Sequence, residues 1–200
     1  MLTQLRKCII TCALVTVCIV SPSCDLITVP GSNEGLPEPA TTVYTIKKGS
    51  HYATSNPLKR NSNSIIRFEA TFDSTAVYKT QATENQGDIN KLYGISDCNS
   101  PHQTNSARFG WRWLENRLEI HAYSYINGTR QSTYIGSVEL GRASTYELEL
   151  KDGLYVFTLD EKQVTLPRGC SGAGNGYQLY PYFGGDEAAP HEINIKIKVL

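Results

Sequence analysis

Two segments concentrate the side chains able to do chemistry. Within Ser106–Tyr125, Arg108, Gly110 and Arg112 fall on one side of an expected strand, and Glu119, His121, Tyr123 and Tyr125 on one side of the next. Within Tyr177–Phe183, Gln178, Tyr180 and Tyr182 share a side. Side chains alternate along a strand, so each strand has two chemically distinct faces. Phenol rings can stack on the C–H faces of a pyranose. Guanidinium, imidazole and amide groups give directional hydrogen bonds to hydroxyls or a carboxylate. The candidate ligand residues are therefore Arg108, Arg112, His121, Tyr123, Gln178, Tyr180 and Tyr182. His102, in the loop Asp97–Asn105, is placed to overhang them. In the competing reading, the tyrosines close one end of the core and the arginines pair with Glu119 or Asp186.

The elements that must carry these groups read as strands. Tyr occurs 12 times, Met once, and charged residues make up 19%. Alternating Tyr, Ile, Val and Thr between Gly-rich turns points to an all-β chain. In the central hairpin, Ala107, Phe109, Trp111 and Trp113 face a core on one strand, and Leu118, Ile120 and Ala122 on the other, with a turn at Leu114–Arg117. Further strands are expected at 43–48, 64–72, 76–79, 89–95, 132–140, 146–151, 154–159, 163–166, 177–183 and 192–199. The last of these puts Ile193, Ile195, Ile197 and Val199 on one face. Pro181 marks an edge or an irregular point, since it lacks a ladder donor. Asp152-Gly153 predicts a type I′ turn. Strands so short, with turns so frequent, predict an antiparallel two-sheet jelly-roll sandwich.

Several chemistries find no template. Retaining glycoside hydrolysis needs two carboxylates about 5 Å apart, and no Glu-x-Asp-x-Glu triplet occurs. A polysaccharide lyase needs a Tyr/His pair with Arg or Gln against the uronate carboxylate; His121, Tyr123, Arg108 and Gln178 are of the right types. There is no Gly-x-Ser-x-Gly elbow and no His-Glu-x-x-His helix. Asp186 and Glu187 match no defined cation loop, so neither a metal nor a cofactor is expected.

Residues 1–23 read as a signal peptide. Arg6 and Lys7 precede an apolar run, Cys8–Val20, too short to span a bilayer. The end, Ser21-Pro-Ser-Cys24, is similar to the lipobox of bacterial lipoproteins, with Ser21 where Leu or Val is usual; the alternative is ordinary secretory cleavage near Ser23. Residues 24–42 are rich in Pro and Gly and read as a flexible tether; residues 43–200 are the domain. The expected location is the bacterial cell envelope, on the outer membrane through lipid on Cys24. The leader removes two of the 19 basic residues and none of the 19 acidic ones. The slightly acidic remainder argues against a nucleic-acid partner held by charge. Cys98 and Cys170 remain, either as one disulfide or as two free thiols; export favours the disulfide.

The segments Ser106–Trp113, Leu118–Tyr123, Pro167–Cys170 and Tyr180–Asp186 make the domain resemble the concanavalin A-like lectin/glucanase jelly rolls. More narrowly, the chain resembles small Bacteroidota lipoproteins of unassigned function. Leu118-Glu-Ile-His121 and Pro181-Tyr-Phe-Gly184 approximate the Gln-Ile-His and Tyr-Phe-Lys-x-Gly motifs of jelly-roll alginate lyases, with Gly in place of Lys. The resemblance implies two packed sheets and a concave face that meets carbohydrate, and it transfers no active site. Three expectations follow: a glycan-binding lipoprotein; alternatively a jelly-roll lyase or glycoside hydrolase; alternatively a lipoprotein whose aromatic face binds another protein.

Overall fold

Hydrophobic alternation builds two sheets, and their apolar faces meet. The computed structural model describes residues 39–200. The signal peptide and nearly all of the tether, Cys24 included, lie outside the described residues. The strands are β1 (Thr41–Ile46), β2 (Arg60–Asn61), β3 (Ile65–Phe72), β4 (Asn90–Ser96), β5 (Ser106–Leu114), β6 (Arg117–Ile126), β7 (Thr129–Val138), β8 (Ala143–Lys151), β9 (Leu154–Leu159), β10 (Lys162–Pro167), β11 (Gly176–Leu179) and β12 (Ile193–Val199). One sheet runs β1-β12-β3-β8-β9-β10 and the other β2-β11-β4-β5-β6-β7. The named strand pairs are antiparallel. The only helices among the described residues are two short 3₁₀ segments, Ser74–Ala76 and Thr83–Gly87. No described helix is long and apolar enough to cross a membrane.

The space between the sheets is filled largely by rings. Phe68 of β3 stacks on Tyr146 of β8 at 4.9 Å and meets Phe109 of β5 edge-on at 5.8 Å. Trp111 packs against Phe72, Tyr78 and Phe183. Such pairs add about 0.5–1.5 kcal/mol each beyond area burial. The expected inward sets of β5 and β6 are all in this core, with Trp113 partly buried against it. The hairpin register pairs Arg108 with Tyr123 and Arg112 with Glu119. Glu115 and Asn116 both take positive φ in the turn between the two strands.

Other expectations need correction. Residues 76–79 form no strand, because Asp73 caps the 3₁₀ turn Ser74–Ala76 through the Thr75 amide. At Asp152-Gly153 only the glycine takes positive φ, so the turn is not type I′. Val199 is 46% exposed, because β12 runs past the core at its end. β11 stops at Leu179 rather than continuing to Phe183. After Pro181, pairing resumes only as isolated bridges from Tyr182 to Tyr52 and Lys91. β2 lies outside the expected strands and pairs only with β11.

A tyrosine-lined cleft on the second sheet

The cleft forms where β11, β4, β5 and β6 turn their polar faces outward. β4 carries an irregularity between Lys91 and Gly94, and Gly94 then pairs with Arg108. That glycine is a steric requirement. A Cβ there would lie 2.1 Å from the Ala107 carbonyl oxygen and 2.4 Å from Arg108 Cβ. Arg108 in turn pairs with Tyr123. Arg108 and Tyr123 line a hollow of about 350 Å³, whose walls also include Tyr52, Lys91, His102, Tyr125, Tyr177, Gln178, Tyr180 and Tyr182.

Arg108 is only 7% exposed. Its Nε is buried with no hydrogen-bond partner, and no carboxylate of the described residues forms an ion pair with it. Its guanidinium carbon lies 5.9 Å from the centre of the Tyr123 ring. Burial lowers the Arg108 pKa from its ordinary value, although an arginine stays charged. Lys91 lies beside the same ring, its Nζ 5.2 Å from the Tyr123 centroid and 5.6 Å from that of Tyr182. The ammonium donates to the Gly184 carbonyl at 2.7 Å. Burial, and then repulsion from Arg108, bring its pKa down to about 8. Burial pushes the Tyr123 hydroxyl up to about 12.

His102 enters from the 97–105 loop, which is tied down on two sides. Cys98 is bonded to Cys170, with Cα atoms 5.7 Å apart, so the expected bridge is present. Asn105 accepts from the Asn127 amide at 3.0 Å. The Tyr177 hydroxyl accepts from the His102 amide at 3.1 Å and lies 2.9 Å from Nδ1. The phenol can donate to Nδ1 in the tautomer that carries the ring proton on Nε2. Burial, then Arg108, lower the His102 pKa, so the ring is neutral at neutral pH.

The eight expected ligand residues therefore divide. Arg108, Tyr123, Gln178, Tyr180, Tyr182 and His102 line the hollow. Arg112 and His121 do not, which corrects the expected common groove. Arg112 Nε donates to Glu119 at 2.8 Å and its Nη1 to the Gly87 carbonyl at 2.7 Å. His121 lies 3.3 Å from the same carboxylate and edge-on to Tyr134. Burial works against the charge on Glu119, but the hydrogen bond and charge of Arg112, joined by His121, hold its pKa below the usual range. This trio fastens the Thr83–Gly87 segment to the hairpin. Gln178 is also committed: its amide donates to the carbonyls of Gly94 and Leu179 and accepts from Asn61.

The sequence reading missed Lys91, Tyr52 and Tyr177. Read as one uninterrupted strand, Tyr177–Phe183 puts Tyr177 on the face opposite Gln178, Tyr180 and Tyr182. The break after Leu179 lets residues on both sides of the pattern reach the hollow. Lys91 carried no visible signal, since the neighbouring irregularity, not alternation, brings it to Tyr123. Asp97, Cys98 and Cys170 also gather closely, but the sulfurs bond each other and the carboxylate is held by Arg168, so the cluster has no free donor for a metal.

The two packed antiparallel sheets make a jelly-roll sandwich, a fold of the concanavalin A-like kind. The chain is similar in fold to the alginate lyase from Klebsiella pneumoniae, with a TM-score of 0.52, 10% identity and coverage of 68% of this chain and 58% of that one. It is also similar to alginate lyase AlyC3, with a TM-score of 0.51, 8% identity and coverage of 80% and 74%. A third similar structure is SCLam, a non-specific endo-β-1,3(4)-glucanase from family GH16, with a TM-score of 0.51, 11% identity and coverage of 81% and 72%. The chain thus spans less than two thirds of the Klebsiella enzyme. Identities this low establish a shared fold and assign no residue a role. No family model matches the sequence, and no curated relative does.

Proposed function

We propose that the domain binds carbohydrate in the tyrosine-lined cleft, and that lipid on Cys24 holds it to the outer membrane of a bacterial envelope. The observation that carries the binding reading is the cleft itself: six tyrosines, Tyr52, Tyr123, Tyr125, Tyr177, Tyr180 and Tyr182, line one open hollow beside a buried, incompletely bonded arginine. Rings supply flat stacking surfaces, and few of their degrees of freedom are lost on binding. The fold, shared with two alginate lyases and a glucanase, agrees with this reading. The basic start, short apolar run and Ser23-Cys24 support the anchor. Affinity electrophoresis through a panel of soluble polysaccharides tests binding. Retardation by at least one polymer should fall about tenfold in Tyr182→Ala, the magnitude expected for losing a stacked ring; retardation equal to wild type would refute the site. Cys24→Ser should move the chain from the membrane fraction to the soluble one, and continued membrane association would refute the lipid anchor.

A second reading, elimination from a uronate polymer, is favoured by one contact. The Tyr177 hydroxyl is bonded to the neutral ring of His102, and both line the cleft with Arg108. Arg108 would neutralise the uronate carboxylate. The phenol oxygen would take the proton at C5 and pass its own to His102, while the C4–oxygen bond breaks and the leaving oxygen gains a proton from solvent. Accumulation of an unsaturated, ultraviolet-absorbing product separates this reading from simple binding. Hydrolysis by paired carboxylates finds no support, because no Asp or Glu lines the hollow.

A further inference from the structure

We infer that the cleft selects saccharides bearing an anionic substituent, a carboxylate or a sulfate, which Arg108 and Lys91 receive beside the ring of Tyr123. This rests on the cleft being the carbohydrate site, and it adds the charge of the ligand. Two cations lie within 6 Å of one tyrosine centroid, and the wall of the hollow includes no carboxylate to offset them. Burying like charges together is costly unless an opposite charge joins them. Arg108 is the sharper indicator. A guanidinium has five donors in a rigid fork suited to a carboxylate or sulfate, and here its buried Nε has no partner. Gly94 lets β5 approach β4 closely at the position of Arg108.

The surroundings keep the positive charge intact. Asp88 is the one acidic group acting appreciably on Lys91, and Arg130 adds a further cation. Asp88 itself accepts from the Asp186 amide at 3.3 Å. His102 is neutral at neutral pH and would add charge only in acid. Tyr123 and Tyr182 have pKa values above the ordinary phenol value, so neither becomes an anion near neutrality. Lys91 loses its proton as pH rises through about 8. An anion in the cleft would hold that proton on, so by linkage the anion binds more tightly below pH 8 than above it.

The test compares one polymer backbone with and without charge. Titration calorimetry of the full chain in detergent would use oligogalacturonate and its carboxyl-reduced counterpart, and a sulfated galactan oligomer and its desulfated counterpart. The expected result is binding of the carboxylated or the sulfated probe at least tenfold tighter than its neutral counterpart, and the stronger of the two names the anion. Lys91→Gln should weaken that binding about tenfold and abolish its fall between pH 7 and 9. Arg108→Gln should remove it; if that variant fails to fold, the partly exposed Lys91 still gives the answer. Equal binding of charged and neutral probes would overturn the inference and leave carbohydrate binding standing. Binding of none would overturn both.

Discussion

Two buried arginines lie in the same domain, and their surroundings are opposites. Arg168 and its partner Asp97 are wholly enclosed, with Arg168 Nε 2.7 Å from Asp97 Oδ2. Its Nη1 donates to the carbonyls of Lys151 and Gly172 at 3.0 and 2.8 Å, and its Nη2 to that of Ala173 at 3.2 Å. The carboxylate also accepts from the Tyr155 hydroxyl at 3.0 Å and the Asn175 amide at 3.1 Å. Arg108 has no counter-carboxylate, and its Nε is left over. One guanidinium has its charge answered within the chain and joins the loop after β4 to the loop after β10. The other is held ready at the bottom of an open hollow. Burial of a charge alone does not mark a binding site; burial without internal compensation, beside accessible space, does.

Breaking the compensated pair should produce the largest effect. Asp97→Ala leaves the Arg168 charge enclosed and takes the acceptor from Tyr155 and Asn175. Removing one partner of a buried ion pair costs about 3–5 kcal/mol. Urea denaturation should therefore show the midpoint falling steeply, with loss of the folded state at 37 °C a real outcome. A loss under 1 kcal/mol would mean that Arg168 finds compensation elsewhere, and the contrast with Arg108 would fail.

The disulfide beside that pair should rank second. It joins residues 72 apart in sequence, so opening it frees a long loop in the unfolded chain, at a cost of about 2–4 kcal/mol. The double variant Cys98→Ser/Cys170→Ser, or wild type with reductant, should lose that much stability. Because Cys98 begins the loop carrying His102, ligand affinity should fall as well. Unchanged affinity in the reduced protein would show that the Asp97–Arg168 pair and Asn105 hold the loop unaided.

Much of the architecture was legible because it follows from period-2 burial. The inward residues Phe109, Trp111, Leu118 and Ile120 were readable, as were the outward Arg108 and Tyr123. The hairpin turn was also readable, since two polar residues between alternating runs have few other uses. What escaped depended on departures from that period. The irregularity in β4 brought Lys91 into the cleft, and the interruption at Pro181 turned Tyr177 and Tyr182 into the same space. Arg112 and His121 obeyed the alternation and still fell outside the site. Alternation assigns a face, and position along the strand decides what lies opposite. Glu119, read only as a possible pairing partner, captured both. The contrast between Arg168 and Arg108 was illegible as well, because Asp97 and Arg168 meet only through the fold.

The smallest effect on stability should come from the uncompensated arginine. Arg108→Met keeps the length and most of the packing of the stem and removes a buried cation whose Nε has no partner. Apolar replacement of poorly compensated buried charge is typically neutral or stabilising. An unfilled buried donor costs about 1–3 kcal/mol, part of which the variant recovers. Relief of repulsion on Lys91 should help in the same direction, raising its pKa from about 8. In the wild type, a lysine pKa depressed on folding means that the folded state gives up its proton first. Stability then rises with pH from about 8 toward the unfolded-state value near 10.5. In Arg108→Met that rise should shrink, while the unfolding free energy at pH 7 stays level or climbs by up to about 1 kcal/mol. A loss of 3 kcal/mol or more would put Arg108 in the same category as Arg168, a structural ion whose partner the cleft conceals.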